Sequence, residues 1–433
     1  MFRRGLPTRP SASEVCQRSK ARFLSHLLAA TGLVIGVLAG AYASPASAVP
    51  TTCQATNTGT GVSNGNLQTV INAAGSGATI RVSGTCTGQF SIPGTGHATN
   101  LTLVGPATLD GGWTGGLPGV GRVLTVNSKT TLVFFTIQHG SVVGLTPGVG
   151  GGIYNNANLT LDNSAVSDNS EVGGGGGIYN DGTLALRNSS VSGNEGPNGG
   201  GPGGGIYNDG TLTLDHSSVF RNESRVAGGG IYNSGTATLT SSSVTNNSNF
   251  TGAAIHNSGR ITLNRSLVSD NSSGGDGLGG IDNSGTAILN NSTVSNNFGV
   301  TGGIVNRGSG TAVLNHSSVS GNRFGAVGGG VYNAGTVILN NSPVTHNSPR
   351  CCAFYFGGGL YNVGTVILNN SPVTGNSATK GGGIYNAGGT ATLNNSPVTY
   401  NSADITGGGI YNVATLALHN SAVTNNTPNQ VAP

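Results

Sequence analysis

Two aspartates and an arginine raise the question of chemistry first. Asp162, Arg187 and Asp215 fall at one equivalent place in three successive modules of the chain. If each module is one turn of a stacked coil, the two carboxylates lie about 9.6 Å apart, at ~4.8 Å per turn. That distance suits an inverting glycosidase, with one acid, one base and a water between them. Arg187 between the pair favours a surface charge ladder instead, which contributes little energy. A second pair is His256 and Asp282, at one equivalent place in adjacent modules. They interrupt a series of tyrosines: Tyr154, Tyr179, Tyr207, Tyr232, Tyr332, Tyr361, Tyr385 and Tyr411; Val305 is the third interruption. Stacked tyrosines form an amphipathic stripe on which sugar rings can lie, so these eight are the candidate binding residues. His256 and Asp282 within it are the candidates for catalysis on a bound sugar. The simpler reading is preferred: tyrosine packs well on strands and the middle modules have diverged. On that reading no catalytic set is assigned.

Other chemistry is weaker. The segment "GGDGLGGID", residues 274–282, is similar to a calcium-binding nonapeptide but has Gly279 where an aspartate is required. It occurs once, whereas such sites need stacked copies. Asp270, Asp276 and Asp282 therefore read as loop aspartates, and neither metal nor cofactor is expected. No cysteine and histidine spacing suits zinc. The glycine runs precede no helix and no G-K-[ST], so they are not phosphate loops.

The elements that position these residues follow from a repeat. An apolar residue after a glycine run recurs eleven times, at Ile153, Ile178, Ile206, Ile231, Ile255, Ile281, Ile304, Val331, Leu360, Ile384 and Ile410. Two residues later stands an asparagine each time, from Asn155 to Asn412. Apolar pairs such as Leu212/Leu214 follow, then a valine such as Val219, with a serine two before it and an asparagine three after it. Apolar spacing of two predicts short strands. Three such strands per module bury no private core, but stacked modules bury continuous columns of Ile, Leu and Val. The expected fold is an all-β right-handed parallel β-helix, a solenoid of about fourteen coils and ~65 Å. The recurrent asparagines and serines are expected to form hydrogen-bonded ladders along the axis, with asparagine also supplying left-handed turns. The glycine of "NDGT" reads as a turn residue with positive φ. Pro343, Pro372 and Pro397 predict a short or bent third strand, because proline cannot donate to a ladder. Up to the valine the length barely changes, with Ser309–Gly310 and Gly389 as the two small insertions; most variation falls between the valine and the next glycine run, at one corner, either as a binding face or as tolerated surface loops.

The ends differ from the repeat. Residues 1–48 read as a signal peptide: a basic stretch, the apolar run "LLAATGLVIGVLAGAYA", then Ala46 and Ala48 in an A-x-A pattern. The whole chain has 18 basic and 14 acidic residues; without the leader the balance is 12 to 13, net −1. No basic stripe remains for nucleic acid. Residues 49–149 are expected to form an N-terminal cap and irregular coils, 150–426 the eleven regular coils, and 427–433 a tail. "NGNLQTVINAAG" predicts a short capping helix, with Asn66 at its start and Gly75 at its end. Cys53 and Cys86 are a plausible disulfide in an exported chain, and the adjacent Cys351 and Cys352 a vicinal bridge or two thiols. No cap follows the last coil, so self-association through that end is an expectation. No transmembrane segment is expected after the leader is cleaved.

The alternating "GGGIYN" and "VSGN" phrases over residues 150–426 resemble the repeats of polymorphic outer-membrane proteins, with Val191, Val219 and their equivalents in place of a phenylalanine. The upstream "GATIRVSGTCTGQFSI" and "NLTLVGPATLDGG" look like the first coils of secreted bacterial β-helix proteins of the pectate-lyase-like superfamily. The resemblance implies an exported or cell-surface protein, in some relatives an adhesin, and implies no catalytic residues. A C-terminal barrel is not seen, so the resemblance does not carry membrane anchoring. The expected function is structural, adhesive or carbohydrate-binding, with a cell-surface glycan or polysaccharide as partner. The alternative is a polysaccharide lyase or glycoside hydrolase acting on a polymer laid along the coil.

Overall fold

The computed structural model describes residues 52–94, 99–115, 121–142, 149–196, 201–274, 277–349 and 354–433. Residues 1–48, read above as a signal peptide, and Asp276, Cys351 and Cys352 lie outside them. The described chain is a right-handed parallel β-solenoid of about thirteen turns. The first face has fourteen strands, of which two, Phe90–Ile92 and Leu124–Val126, precede the regular series. The irregular region therefore adds two turns to this face, and about thirteen replaces the expected fourteen.

One module shows how the residues make a turn. Ile206–Asn208, Thr211–Asp215 and Ser218–Phe220 are the three expected strands, and a fourth, Glu223–Ser224, follows. The fourth runs through nine turns as its own sheet, from Ser141–Val142 to Ser348–Pro349. It carries no apolar alternation, because its single inward residue is often small or polar, as in Ser224, Asn249 and Ser273. That is why periodicity does not reveal it. Each strand pairs with its copy in the next turn without slip: Ile206 opposite Ile231, Leu214 opposite Leu239, Val219 opposite Val244. All six are fully buried.

The polar columns are equally regular. Asn180 Nδ2 donates to Asn208 Oδ1 at 2.6 Å, and Asn208 Nδ2 to Asn233 Oδ1 at 2.7 Å. A second ladder runs through Asn194, Asn222 and Asn247 at 2.9 and 3.0 Å. Serine hydroxyls accept backbone N–H groups from the preceding turn, as from Ser189 to Ser217 at 3.1 Å. The ladder asparagines are not the left-handed residues. That conformation falls on the residue before the serine or the ladder asparagine, such as Asn188 (φ 48°) and Arg221 (φ 54°).

The "NDGT" glycine is also corrected. Gly210 has no positive φ; a Cβ there would collide with the Gly182 carbonyl oxygen of the preceding turn. Its role is close approach between coils, and left-handed glycines stand instead at the head of the glycine run, as at Gly203 (φ 76°). The three prolines shorten the third strand from three residues to two. They keep their acceptors in the ladder, since Val344 N–H donates to Pro372 O at 2.9 Å.

At the N-terminal end, helix α1 (Leu67–Ala73) buries Leu67, Val70 and Ile71 over the first coil. Asn66 caps it by accepting from Thr69 N–H, whereas its C-cap is the extended Ala74 rather than Gly75. Cys53 and Cys86 are disulfide-bonded. At the other end the tail does cover part of the edge. Val431–Ala432 pairs with Ile410–Tyr411, and Gln430 Oε1 accepts from both Asn426 N and Nδ2 at 3.0 Å. Gln430 thus stands in for the next ladder asparagine. Among the described residues no helix is long and apolar enough to cross a membrane.

Candidate functional site

The first strand of each turn turns its central residue outward, so in-register pairing must align the tyrosines. Tyr154, Tyr179, Tyr207 and Tyr232 stack with centroid separations of 5.7, 4.7 and 4.8 Å. Tyr332, Tyr361, Tyr385 and Tyr411 stack at 5.5, 5.2 and 4.8 Å. The planes lie within 27° of parallel, so the ring faces cover one another. What the lane offers to solvent is a row of ring edges and hydroxyls at the coil spacing. Burial, then neighbouring phenols and aspartates, pushes the Tyr179 hydroxyl up to about 12, so it stays a donor at ordinary pH. Cations flank both ends of the lane: the Arg122 guanidinium lies 4.9 Å from the Tyr154 centroid and Lys380 Nζ 5.2 Å from that of Tyr411.

The two stacks are separated by a polar centre. His256 continues the first stack, 4.9 Å from Tyr232 and 12° from parallel. Its Nδ1 is 2.8 Å from Asp282 Oδ2 in the next turn. Arg307 closes on the same carboxylate from the turn after that, Nε to Oδ1 at 2.6 Å and an Nη to Oδ2 at 2.9 Å. Asp282 is 2% exposed although it points outward, because these two side chains cover it. Burial pushes its carboxyl up, but hydrogen bonds from His256 and Arg307 outweigh it and the net shift is downward. The carboxylate also raises the Arg307 guanidinium. The Asp282 contact at Nδ1 and the ring contact with Tyr232 together fix the orientation of the imidazole. The centre is thus a fixed imidazole in a row of phenols.

Arg307 was not singled out from the sequence, though a signal existed. It stands three residues after Ile304, where the other turns carry Asn, Asp, Ser, Ala or Val. Arg122, Lys380 and Glu171 were also missed. Glu171 is 1% exposed, and burial pushes its carboxyl up to about 7 against hydrogen bonds from Gly173 and Gly174.

The remaining candidates are not brought into one site. Asp162, Arg187 and Asp215 are in register, but neither aspartate pairs with the arginine; Asp215 lies 2.8 Å from His216. Asp270 is exposed while Asp282 is buried against Arg307. Among the described residues no group of three or more His, Cys, Asp or Glu is placed to hold a metal ion.

Fold and site together define a parallel β-solenoid with an aromatic lane along one face. Searches against protein-family models, curated proteins and solved structures return no match to this chain.

Proposed function

We propose that this is an exported β-solenoid that binds an extended glycan along the tyrosine lane, in an adhesive or structural role at a cell surface. The observation that carries the reading is the row of stacked phenols, whose hydroxyls repeat at the coil spacing of ~4.8 Å. That spacing is close to the rise of one sugar residue in an extended chain, so successive hydroxyls meet successive residues. Because the ring faces are occupied by each other, recognition runs through hydrogen bonds from the hydroxyl edge. His256 marks the centre of the lane and gives the polymer a register. Export rests on the basic and apolar leader of residues 1–48.

The test is binding of the purified protein to a panel of soluble polysaccharides, with Tyr179→Phe and Tyr361→Phe as variants. Phenylalanine keeps the stack and removes only the hydroxyl. Weakened binding supports the reading; unchanged binding by both variants, or no binding by the parent protein, overturns it. Turnover of the bound polymer, lost in His256→Gln, would establish the alternative lyase or hydrolase reading, which the His256–Asp282 contact favours. Self-association through the edge left open by Thr415–His419 is a separate proposal, decided by sedimentation velocity.

A further inference from the structure

The long second strand of each turn presents a different face, and it is independent of the tyrosine lane. Five successive copies, Thr286–Asn290, Thr311–Asn315, Thr336–Asn340, Thr365–Asn369 and Thr390–Asn394, pair one to one without a register shift. Their inward residues are buried, and three residues of each turn outward. The outward residues fall in three straight columns: threonine in all five turns, then Ile288, Val313, Ile338, Ile367 and Thr392, then asparagine in all five. No charged residue interrupts the fifteen positions.

Three properties of this face are unusual together. The asparagines form an outer amide ladder: Asn315 Nδ2 donates to Asn290 Oδ1, Asn340 to Asn315, Asn369 to Asn340 and Asn394 to Asn369, at 2.8–2.9 Å. Such side-chain ladders hold a sheet flat and fix the rotamers on it. The face also carries no lysine or glutamate, the side chains usual on a solvated surface. Finally, its two repeats are set by the backbone, ~4.8 Å between turns and ~6.7 Å between alternate residues of a strand.

A regular, rigid, uncharged array selects its partner by lattice rather than by area. The five-turn face measures roughly 24 by 13 Å, so about 300 Å², well below the ~800 Å² per partner of a stable protein dimer. A second copy of the chain is therefore a poor occupant. The two repeats lie close to the in-plane oxygen repeats of a prism face of ice. Threonine hydroxyls and asparagine amides at lattice points anchor water by hydrogen bonds, while the methyl groups between them order the water they cannot bond. Charged groups, which hold strong hydration shells of their own, are absent. We propose that this face binds crystalline water, and that the protein adsorbs to ice through Thr286–Asn394 of the second strand.

The purified protein is compared with Ile338→Lys, at the centre of the face, Thr311→Lys, in its threonine column, and Glu195→Lys, on the fourth-strand sheet. The readouts are the rate at which ice crystals coarsen in a frozen sucrose solution and the fraction of protein taken up by a growing ice hemisphere. The parent and Glu195→Lys should slow coarsening and partition into ice. The two face variants, shown folded by the near-ultraviolet dichroism of the tyrosine stacks, should need roughly tenfold more protein or more, because an ammonium must be stripped of water at the contact. Coarsening at the rate of an unrelated control protein, or full activity in both face variants, overturns the proposal. So does adsorption to a crystalline polysaccharide through this face with no effect on ice.

Discussion

Two adjacent glycines in one turn provide a direct test of how the coils are spaced. In "NAGGT", Gly388 has nothing within 4 Å of the position a Cβ would take, whereas a Cβ on Gly389 would overlap the Gly364 carbonyl oxygen and lie 2.7 Å from its carbon and nitrogen. Neither residue has a positive φ, so backbone strain does not distinguish them. Gly388→Ala should be neutral, or stabilising by about 0.4–1 kcal/mol through the unfolded chain. Gly389→Ala must push two turns apart. The overpacking costs about 1–3 kcal/mol. The displaced turn also strains the bonds from Thr390 N–H to Gly364 O, at 2.8 Å, and from Thr415 N–H to Gly389 O, at 3.2 Å. At about 1 kcal/mol each, their loss brings the total to roughly 3–5 kcal/mol. Urea unfolding followed by far-ultraviolet dichroism reads the difference as a shift in midpoint or, since long repeat arrays need not unfold as one unit, as early loss of the C-terminal turns. Equal midpoints for Gly388→Ala and Gly389→Ala would refute the claim that close approach, rather than turn conformation, requires the second glycine.

Other outcomes follow from the same geometry. Asn247→Leu breaks the inner ladder and takes away the acceptor of the buried Asn222 backbone N–H; thermal melting should show a loss of about 2–4 kcal/mol. Gln430→Ala removes the acceptor for Asn426, and hydrogen exchange should rise in the last turn while the central turns stay protected. The Asp282 carboxyl is held below the ordinary 3.8, so the unfolded chain binds the proton more readily. Its contribution is therefore full above that value and lost as pH falls through the folded value; in Asp282→Asn, acid unfolding should lose this component. Glu171 behaves oppositely: its folded value rises from 4.5 to about 7, so stability falls as pH climbs between the two. The fall should approach ~3 kcal/mol and disappear in Glu171→Gln, as measured by melting at pH 5 and pH 8.

The inward columns and both asparagine ladders are legible in the sequence because each module repeats them at fixed distance from one glycine run. Stacking converts that one-dimensional repeat directly into contact. The same logic aligns the tyrosines and puts His256 beside Asp282. It does not say that the ring faces will be consumed by stacking, because that depends on side-chain orientation between turns. It marks Arg307 as the one cation at its turn position but does not say that the side chain reaches back to Asp282. The fourth strand is hidden because residues such as Ser224 and Asn249 carry no apolar period.

The sequence by itself determined the solenoid, its inner columns, the alignment of its outer residues and the helix that covers its first turn. Those features depend on residue type at a recurring interval, and parallel in-register pairing preserves the interval in space. The tertiary structure alone decided why Gly210 and Gly389 are glycine, how Gln430 closes a ladder, which edge of each tyrosine faces solvent and how Arg307 buries Asp282. Each of these is set by the distance and angle between one particular turn and the next, a quantity that no single module contains.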